Sequence, residues 1–351
     1  MSVVIDGTTG ITAAAFDGAV DAGDLTGTLP SSTLSTYLDP ENRIINGAFD
    51  FWQRGTSQTA AGYGSADRWF NSISGGTVTM SRQSFTLGDT LGSNSPTFFL
   101  RHSVSGQSLT TQYAVAEHRI EGVRSYAGQT ITVLGWARRS SGAGNMAIEP
   151  LQNFGTGGSP STEVTGTGQT VTLSGSWAAF AVTISVPSVA GKTLGTNGND
   201  YLSLLFWTSA GSTFNTRSAS LGLQTIGVDL WGIHIKRGTH TTSAVDLYRQ
   251  PELGPELARC QRYYETTDTE VKFDGNLGGT PVSVGYMAFF TTKKRGTPTI
   301  SIVSQSGTNS NAIGSTTAKS FNGIYYILEW TSGASIVARA RAAIFSADAE
   351  L

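Results

Sequence analysis

A period of two runs through most of the chain. In residues 179–186 the apolar Phe180, Val182, Ile184 and Val186 alternate with small or polar side chains, the mark of an extended strand with one buried face. Residues 228–235 alternate less strictly, and 77–81 and 170–174 are shorter pieces of the same kind. Residues 131–136 and 201–207 carry apolar side chains on both faces and predict strands covered on both sides. Turn clusters separate them, such as Gly155-Thr156-Gly157-Gly158-Ser159-Pro160 and Gly195-Thr196-Asn197-Gly198-Asn199-Asp200. Many short strands with regular turns predict a sandwich or jelly roll over 42–250. Strands return at 282–290, 299–303, 323–330 and 335–345.

One segment breaks the pattern. Gly254-Pro255-Glu256 offers a tolerated N-cap, a proline suited to a first turn and an acid at the positive end of a helix dipole. Leu257, Cys260 and Tyr264 then share a helical face. The expected architecture is all-β: an extended N-terminal arm (1–41), a jelly-roll β-sandwich (42–250), a short helical linker (251–267) and a smaller C-terminal β domain (268–351). In the arm, Val3, Val4, Ile5, Ile11, Phe16, Val20, Leu25 and Leu29 are too dispersed for a core. It reads either as a leader or as an arm that orders against another chain, and the spaced apolar residues favour the second.

Composition agrees with the pattern. Glycine is 43 of 351 residues and charged residues are 14%, against about 25% charged in ordinary domains. Glycine and threonine both disfavour helices. The formal net charge of -2 lacks the basic excess of a nucleic-acid binder. A single cysteine, Cys260, excludes an internal disulfide framework and a Cys-based zinc site. No apolar run reaches membrane-span length, so membrane insertion is not expected. No basic-then-apolar leader opens the chain. Synthesis in a reducing cytoplasm and release by lysis are therefore expected.

Catalytic signals are scarce. His102, His118, His234 and His240 form no paired-ligand spacing, and no nucleophile elbow, phosphate loop or dinucleotide fingerprint occurs. Glu117, Glu121, Glu149, Glu163, Asp200 and Asp229 are scattered, so spacing assembles no carboxylate pair for glycan cleavage. The expectation is a non-enzyme without cofactor or metal. Aromatic residues carry more. Trp136, Trp177 and Trp231 are expected in the core. Trp207, Trp330, Tyr325 and Tyr326 have a better claim to exposure, although a core position leads for each separately, and Trp207 is a candidate glycan contact. In the C-terminal region Tyr325, Tyr326 and Trp330, with Asn276, Asn309 and Asn311 on polar loops, are candidate receptor contacts, because an N-terminal anchor would leave that region outermost.

Asn42-Arg43-Ile44-Ile45-Asn46-Gly47-Ala48-Phe49-Asp50-Phe51-Trp52-Gln53-Arg54-Gly55, followed by Ala66-Asp67-Arg68-Trp69, resembles a signature of bacteriophage tail fibres with a carbohydrate-binding-module-like jelly roll. The resemblance continues through Arg119-Ile120-Glu121-Gly122 to Glu256-Leu257-Ala258-Arg259-Cys260-Gln261-Arg262-Tyr263-Tyr264-Glu265. Lys294-Arg295-Gly296-Thr297-Pro298-Thr299-Ile300 is similar to an element of C-terminal tail-fibre domains, and Ile5-Asp6-Gly7-Thr8-Thr9-Gly10 to their anchoring leader. The resemblance implies a homotrimer in the virion that meets a tail or baseplate protein through 1–41 and a host-surface glycan or protein at its other end. The rival expectations are a purely structural tail component and a polysaccharide depolymerase. Arg54, Asp67, Arg68 and Trp69 are expected to be structural, with Asp67 and Arg68 satisfying each other. Lys236 stands where the family often has an acid, which leaves no expected metal.

Overall fold

The computed structural model describes the backbone of residues 42–274, 282–308, 313–320, 323–330 and 338–351, and the side chains of 42–268, 289–304 and 344–351. Glu41–Leu351 form one compact unit. The expected arm lies outside the described residues.

The jelly roll is two antiparallel sheets. One orders β1 (Ser57–Gln58), β3 (Thr77–Ser84), β4 (Phe98–Ser105), β12 (Ile226–Arg237), β6 (Thr130–Gly142) and β10 (Ala178–Ser185). The other orders β2 (Trp69–Ser74), β5 (Tyr113–Glu121), β11 (Tyr201–Ala210), β7 (Met146–Asn153) and β8 (Val164–Thr165), with β9 (Gln169–Val171) also paired to β7. From β4 to β7 and again from β10 to β12 the chain crosses between sheets at each step, so each strand lays an apolar face on the shared core. The strand phase read from alternation is the observed one. Phe180, Val182 and Ile184 are buried opposite Gly135, Val133 and Ile131 of β6, and Val186 is buried just past the end of the ladder. On the other face Ala179, Ala181 and Thr183 are half-buried and Ser185 is exposed.

Trp136 and Trp231 are buried as expected, at 5.3 Å between ring centroids. Trp177 is only half-buried. It lies on the loop before β10 and stacks on Phe85 at the edge of the core. At Gly232 the β12 ladder breaks register between Trp231 and His234. Its φ of +64° and the Trp136 ring 2.8 Å from where a Cβ would sit both require glycine.

The opening motif forms a buried polar knot. Gly47 lies against the Ile233 carbonyl with no room for a side chain. Asn46 donates to the Phe51 and Asp67 carbonyls and accepts from the Phe51 N–H. Asp67, Arg68 and Trp69 are buried, so the structural reading holds. Their partners differ from those expected. Asp67 accepts from Gln53, both backbone and side chain, while Arg68 pairs with Glu350. The positive φ of Arg68, 69°, turns the two side chains to different neighbours.

Helix α1, Leu253–Gln261, starts after Glu252, so Gly254 and Pro255 fall inside its first turn rather than at the cap. Its buried residues are Glu256 and Cys260; Leu257 is only half-buried, and Tyr264, expected on the same face, lies past the helix on the next strand. Glu256 is drawn inward because its carboxylate accepts the Asn46 N–H at 2.5 Å and pairs with Arg259 at 2.8 Å. Strand β13 (Tyr264–Asp274) begins within the expected linker.

The C-terminal strands form two three-stranded antiparallel sheets. β13 and β15 (Thr299–Thr308) flank β18 (Ala338–Asp348), and β14 (Val282–Phe289) and β16 (Ile313–Ser320) flank β17 (Gly323–Trp330). The chain end does not sit far from the start of the jelly roll. Asp348 and Glu350 reach Arg54, Glu350 reaches Arg68, and Arg119 donates to the Leu351 carbonyl at 2.5 Å. Arginines buried on the jelly roll need carboxylates, and the chain end supplies them.

Candidate functional site

The site lies on the outer face of the β2-β5-β11-β7-β8 sheet. Cross-strand partners point to the same face of a sheet. Register sets Phe70 opposite Glu117, Leu205 between Glu117 and Glu149, Ser203 between Arg119 and Leu151, and Trp207 between Val115 and Ala147. The neighbouring positions Trp69, Ala116, Leu204 and Phe206 belong to the sandwich core. The outer face has an apolar cluster of its own around Val115, Ala147, Leu151, Leu205 and Trp207. That is why β11 reads as apolar on both sides.

After β11 the chain folds back over this face. The 3-10 turn Ser212–Phe214 places the Phe214 ring 5.4 Å from Trp207 and 5.1 Å from Tyr113. Arg217 follows, its guanidinium 5.3 Å from the centre of the Trp207 ring. Between these residues and Tyr201 lies a cleft of about 220 Å³. Tyr113, Phe214 and Tyr201 are half-buried and line it. Tyr201 and Trp207 are six positions apart on one strand, which at about 3.3 Å per residue separates the two ends by about 20 Å.

The polar groups of the cleft are held in place. On one side of Leu205, Glu149 is fully buried and accepts Trp207 Nε1–H at 3.0 Å and Arg217 Nε–H at 2.8 Å. Burial pushes its carboxyl up to about 7, against the opposing pull of Arg217 and Trp207. On the other side of Leu205, Glu117 Oε1 accepts from Arg119 Nε and Ser203 Oγ, each at 2.7 Å. The Arg119 guanidinium is stacked 4.2 Å from Phe70 and 4.7 Å from Tyr201. Glu163 stands exposed on the rim. A cleft lined by aromatic rings and fixed carboxylates and guanidiniums suits a ligand with apolar faces and many hydroxyl groups.

Trp207 is the one sequence-selected candidate in this site, and it is buried, the leading expectation for it. It is 1% exposed. Strand alternation does place it on the outer face, but Phe214 and Arg217 cover it, so its ring forms the floor beneath the cleft. Tyr325, Tyr326 and Trp330 lie on β17, where they pair in register with Met287, Tyr286 and Val282 of β14. Their side chains, and all of Asn276, Asn309 and Asn311, lie outside the described residues. Of the scattered acids, Glu117, Glu149 and Glu163 converge on the cleft. Glu121 binds Arg262 and the Tyr263 hydroxyl, and Asp200 accepts the Val123 N–H. Tyr113 and Tyr201 had a signal in strand parity, whereas Phe214 and Arg217, on an irregular segment, had none.

No family model and no curated protein matches the chain. Among solved structures, a tailspike protein 4 enzymatically active domain of bacteriophage CBA120 aligns at 13% identity and a TM-score of 0.32 over 56% of this chain and 21% of its own. A CBM22-1 xylan-binding domain from Paenibacillus barcinonensis aligns at 10% identity and a TM-score of 0.27 over 53% and 94%. The N-terminal cellulose-binding domain of a Cellulomonas fimi glucanase aligns at 12% identity and a TM-score of 0.29 over 54% and 98%.

Proposed function

We propose that the chain is a bacteriophage tail-fibre or receptor-binding protein whose jelly roll binds a host-surface glycan along the outer face of the β5-β11-β7 sheet. The observation that supports glycan binding is the cleft between Tyr113, Phe214 and Tyr201, with Glu117, Glu149, Arg119 and Arg217 fixed inside it. Half-exposed rings take the apolar face of a sugar, and anchored polar groups take its hydroxyls without first losing rotamer freedom. The separation of the two ends suits an extended oligosaccharide. The virion setting and the homotrimer rest on the resemblance to tail fibres, and attachment of 1–41 to the tail on its acidic, turn-rich sequence and the resemblance of Ile5-Asp6-Gly7-Thr8-Thr9-Gly10 to their anchoring leader.

The proposed activity is binding without cleavage. Glu117 and Glu149 are each committed to an arginine, and Glu149 is sealed under Trp207 and Arg217. Neither is free to work as half of an acid–nucleophile pair. A glycan array probed with the full chain tests the reading. The expected result is a bound oligosaccharide whose signal falls in Phe214→Ala, with no reducing ends released from that glycan. An unchanged signal in Phe214→Ala, with loss in Tyr325→Ala, would move the contact to β17.

A further inference from the structure

The opposite sheet carries a charged arrangement with no role in the cleft. On β12, Asp229 pairs in register with Arg101 of β4 and Arg138 of β6, so the three side chains share the outer face. Asp229 is fully buried. Arg101 alone satisfies both of its oxygens, donating Nε–H at 2.6 Å and Nη2–H at 2.9 Å. Arg138 adds Nε–H at 2.8 Å to an oxygen already bonded. Two guanidiniums therefore share one carboxylate, and one positive charge is left uncompensated within the cluster.

Both arginines keep an open side. Their side chains are 28% and 29% exposed. Among the described residues no acceptor meets Arg101 Nη1 or either Nη of Arg138. Arg138 lies 4.8 Å from the centre of the Trp177 ring, and Trp177 is half-buried and stacked on Phe85 at 5.3 Å. Phe99, 3% exposed, supports both guanidiniums from below, 5.8 and 5.3 Å away. Stacking and the shared carboxylate fix the planar forks, so little entropy is lost when a ligand binds them. A strand staple alone would need one bidentate arginine. The second supplies charge and free N–H groups directed to solvent beside an aromatic wall.

We infer that Arg101, Arg138 and Trp177 form a second saccharide site, on the sheet opposite the cleft, that takes the oxyanion of an acidic sugar. The forks bind a carboxylate or sulfate oxygen, and the edge of Trp177, whose faces are taken by Arg138 and Phe85, borders the ring that bears it. The site is independent of the cleft, because the two lie on opposite outer faces of the sandwich.

Titration calorimetry on the full chain tests this with three probes: an oligogalacturonate, a heparin oligosaccharide and a neutral gluco-oligosaccharide. One or both acidic probes should bind, more weakly as salt rises. Which of them binds distinguishes a carboxylate from a sulfate ligand. In Arg138→Gln that affinity should fall about tenfold or more, the loss of one charge-assisted contact, while Asp229 keeps its bidentate partner. Trp177→Ala should lower it as well, and it decides the matter if Arg138→Gln does not fold. Phe214→Ala in the cleft should leave it unchanged. The inference is overturned if neither acidic probe binds, if Arg138→Gln and Trp177→Ala both bind like the wild type, or if only Phe214→Ala abolishes binding. The arginine pair is then a strand staple only.

Discussion

The Arg68 guanidinium, 1% exposed, is paired with the carboxylate of Glu350, 282 positions further along the chain. Arg68 also lies 3.5 Å above the Tyr263 ring and donates to the Arg119 carbonyl at 2.6 Å. Glu350 in turn accepts from Arg54 at 3.2 Å. Removing Glu350 strands a buried cation. Glu350→Ala should therefore cost about 3–5 kcal/mol. Thermal and denaturant melts of variant and wild type measure it, and a loss below about 1 kcal/mol would mean that water reaches Arg68 and replaces the carboxylate.

Phe180 tests the strand phase. It is 6% exposed and faces the core beside Val182 and Ile184. Phe180→Ala should destabilise by about 3–5 kcal/mol, transfer and cavity together. Ala179, its half-buried neighbour on the other face, should tolerate serine within about 0.5 kcal/mol. Equal losses at the two positions in urea melts would contradict the assigned faces.

Phe214 covers Trp207 but is itself half-buried, which separates binding from folding. Phe214→Ala should lower affinity for the array-selected glycan about tenfold, the loss of one aromatic contact at a binding centre. The chain should keep its melting cooperativity. Calorimetry gives the first quantity and circular dichroism the second. A change in melting with unchanged affinity would make the Phe214 segment a structural cover.

Glu149 predicts a pH dependence. Burial raises its carboxyl from 4.5 to about 7 in the folded chain. Between those values the folded state holds a proton that the unfolded state has released. Stability therefore falls as pH rises from about 4.5 to 7, by at most about 3 kcal/mol. Glu149→Gln should remove this slope, so the difference between variant and wild type widens in the variant's favour as pH rises. Denaturant melts at pH 5 and pH 7 read the difference directly. A constant difference would show that Arg217 holds Glu149 ionised throughout.

Period-two alternation was enough to place Phe180, Val182 and Ile184 in the core and to identify a sandwich, because a strand's side chains take alternate faces whatever surrounds it. Turn residues marked the breaks for a similarly local reason. The same alternation put Trp207 on an outer face but could not foresee its cover, since Phe214 and Arg217 come from an irregular segment whose path depends on the sheet beneath. The helix shows this limit too. Its position was legible from Pro255, but its buried face was not, because Glu256 turns inward to meet the Asn46 N–H, 210 positions away. Partners of buried charges are chosen by three-dimensional proximity. Asp67 and Arg68 are adjacent in sequence, yet their carboxylate and guanidinium are satisfied by Gln53 and Glu350. Local patterns in the chain thus specified strands, turns and inward faces. Folding alone brought the Glu117–Arg119 pair, Glu149 and Arg217 into one cleft and set Arg101 beside Arg138, because strand register and the path of the segment after β11 join residues that no sequence spacing relates.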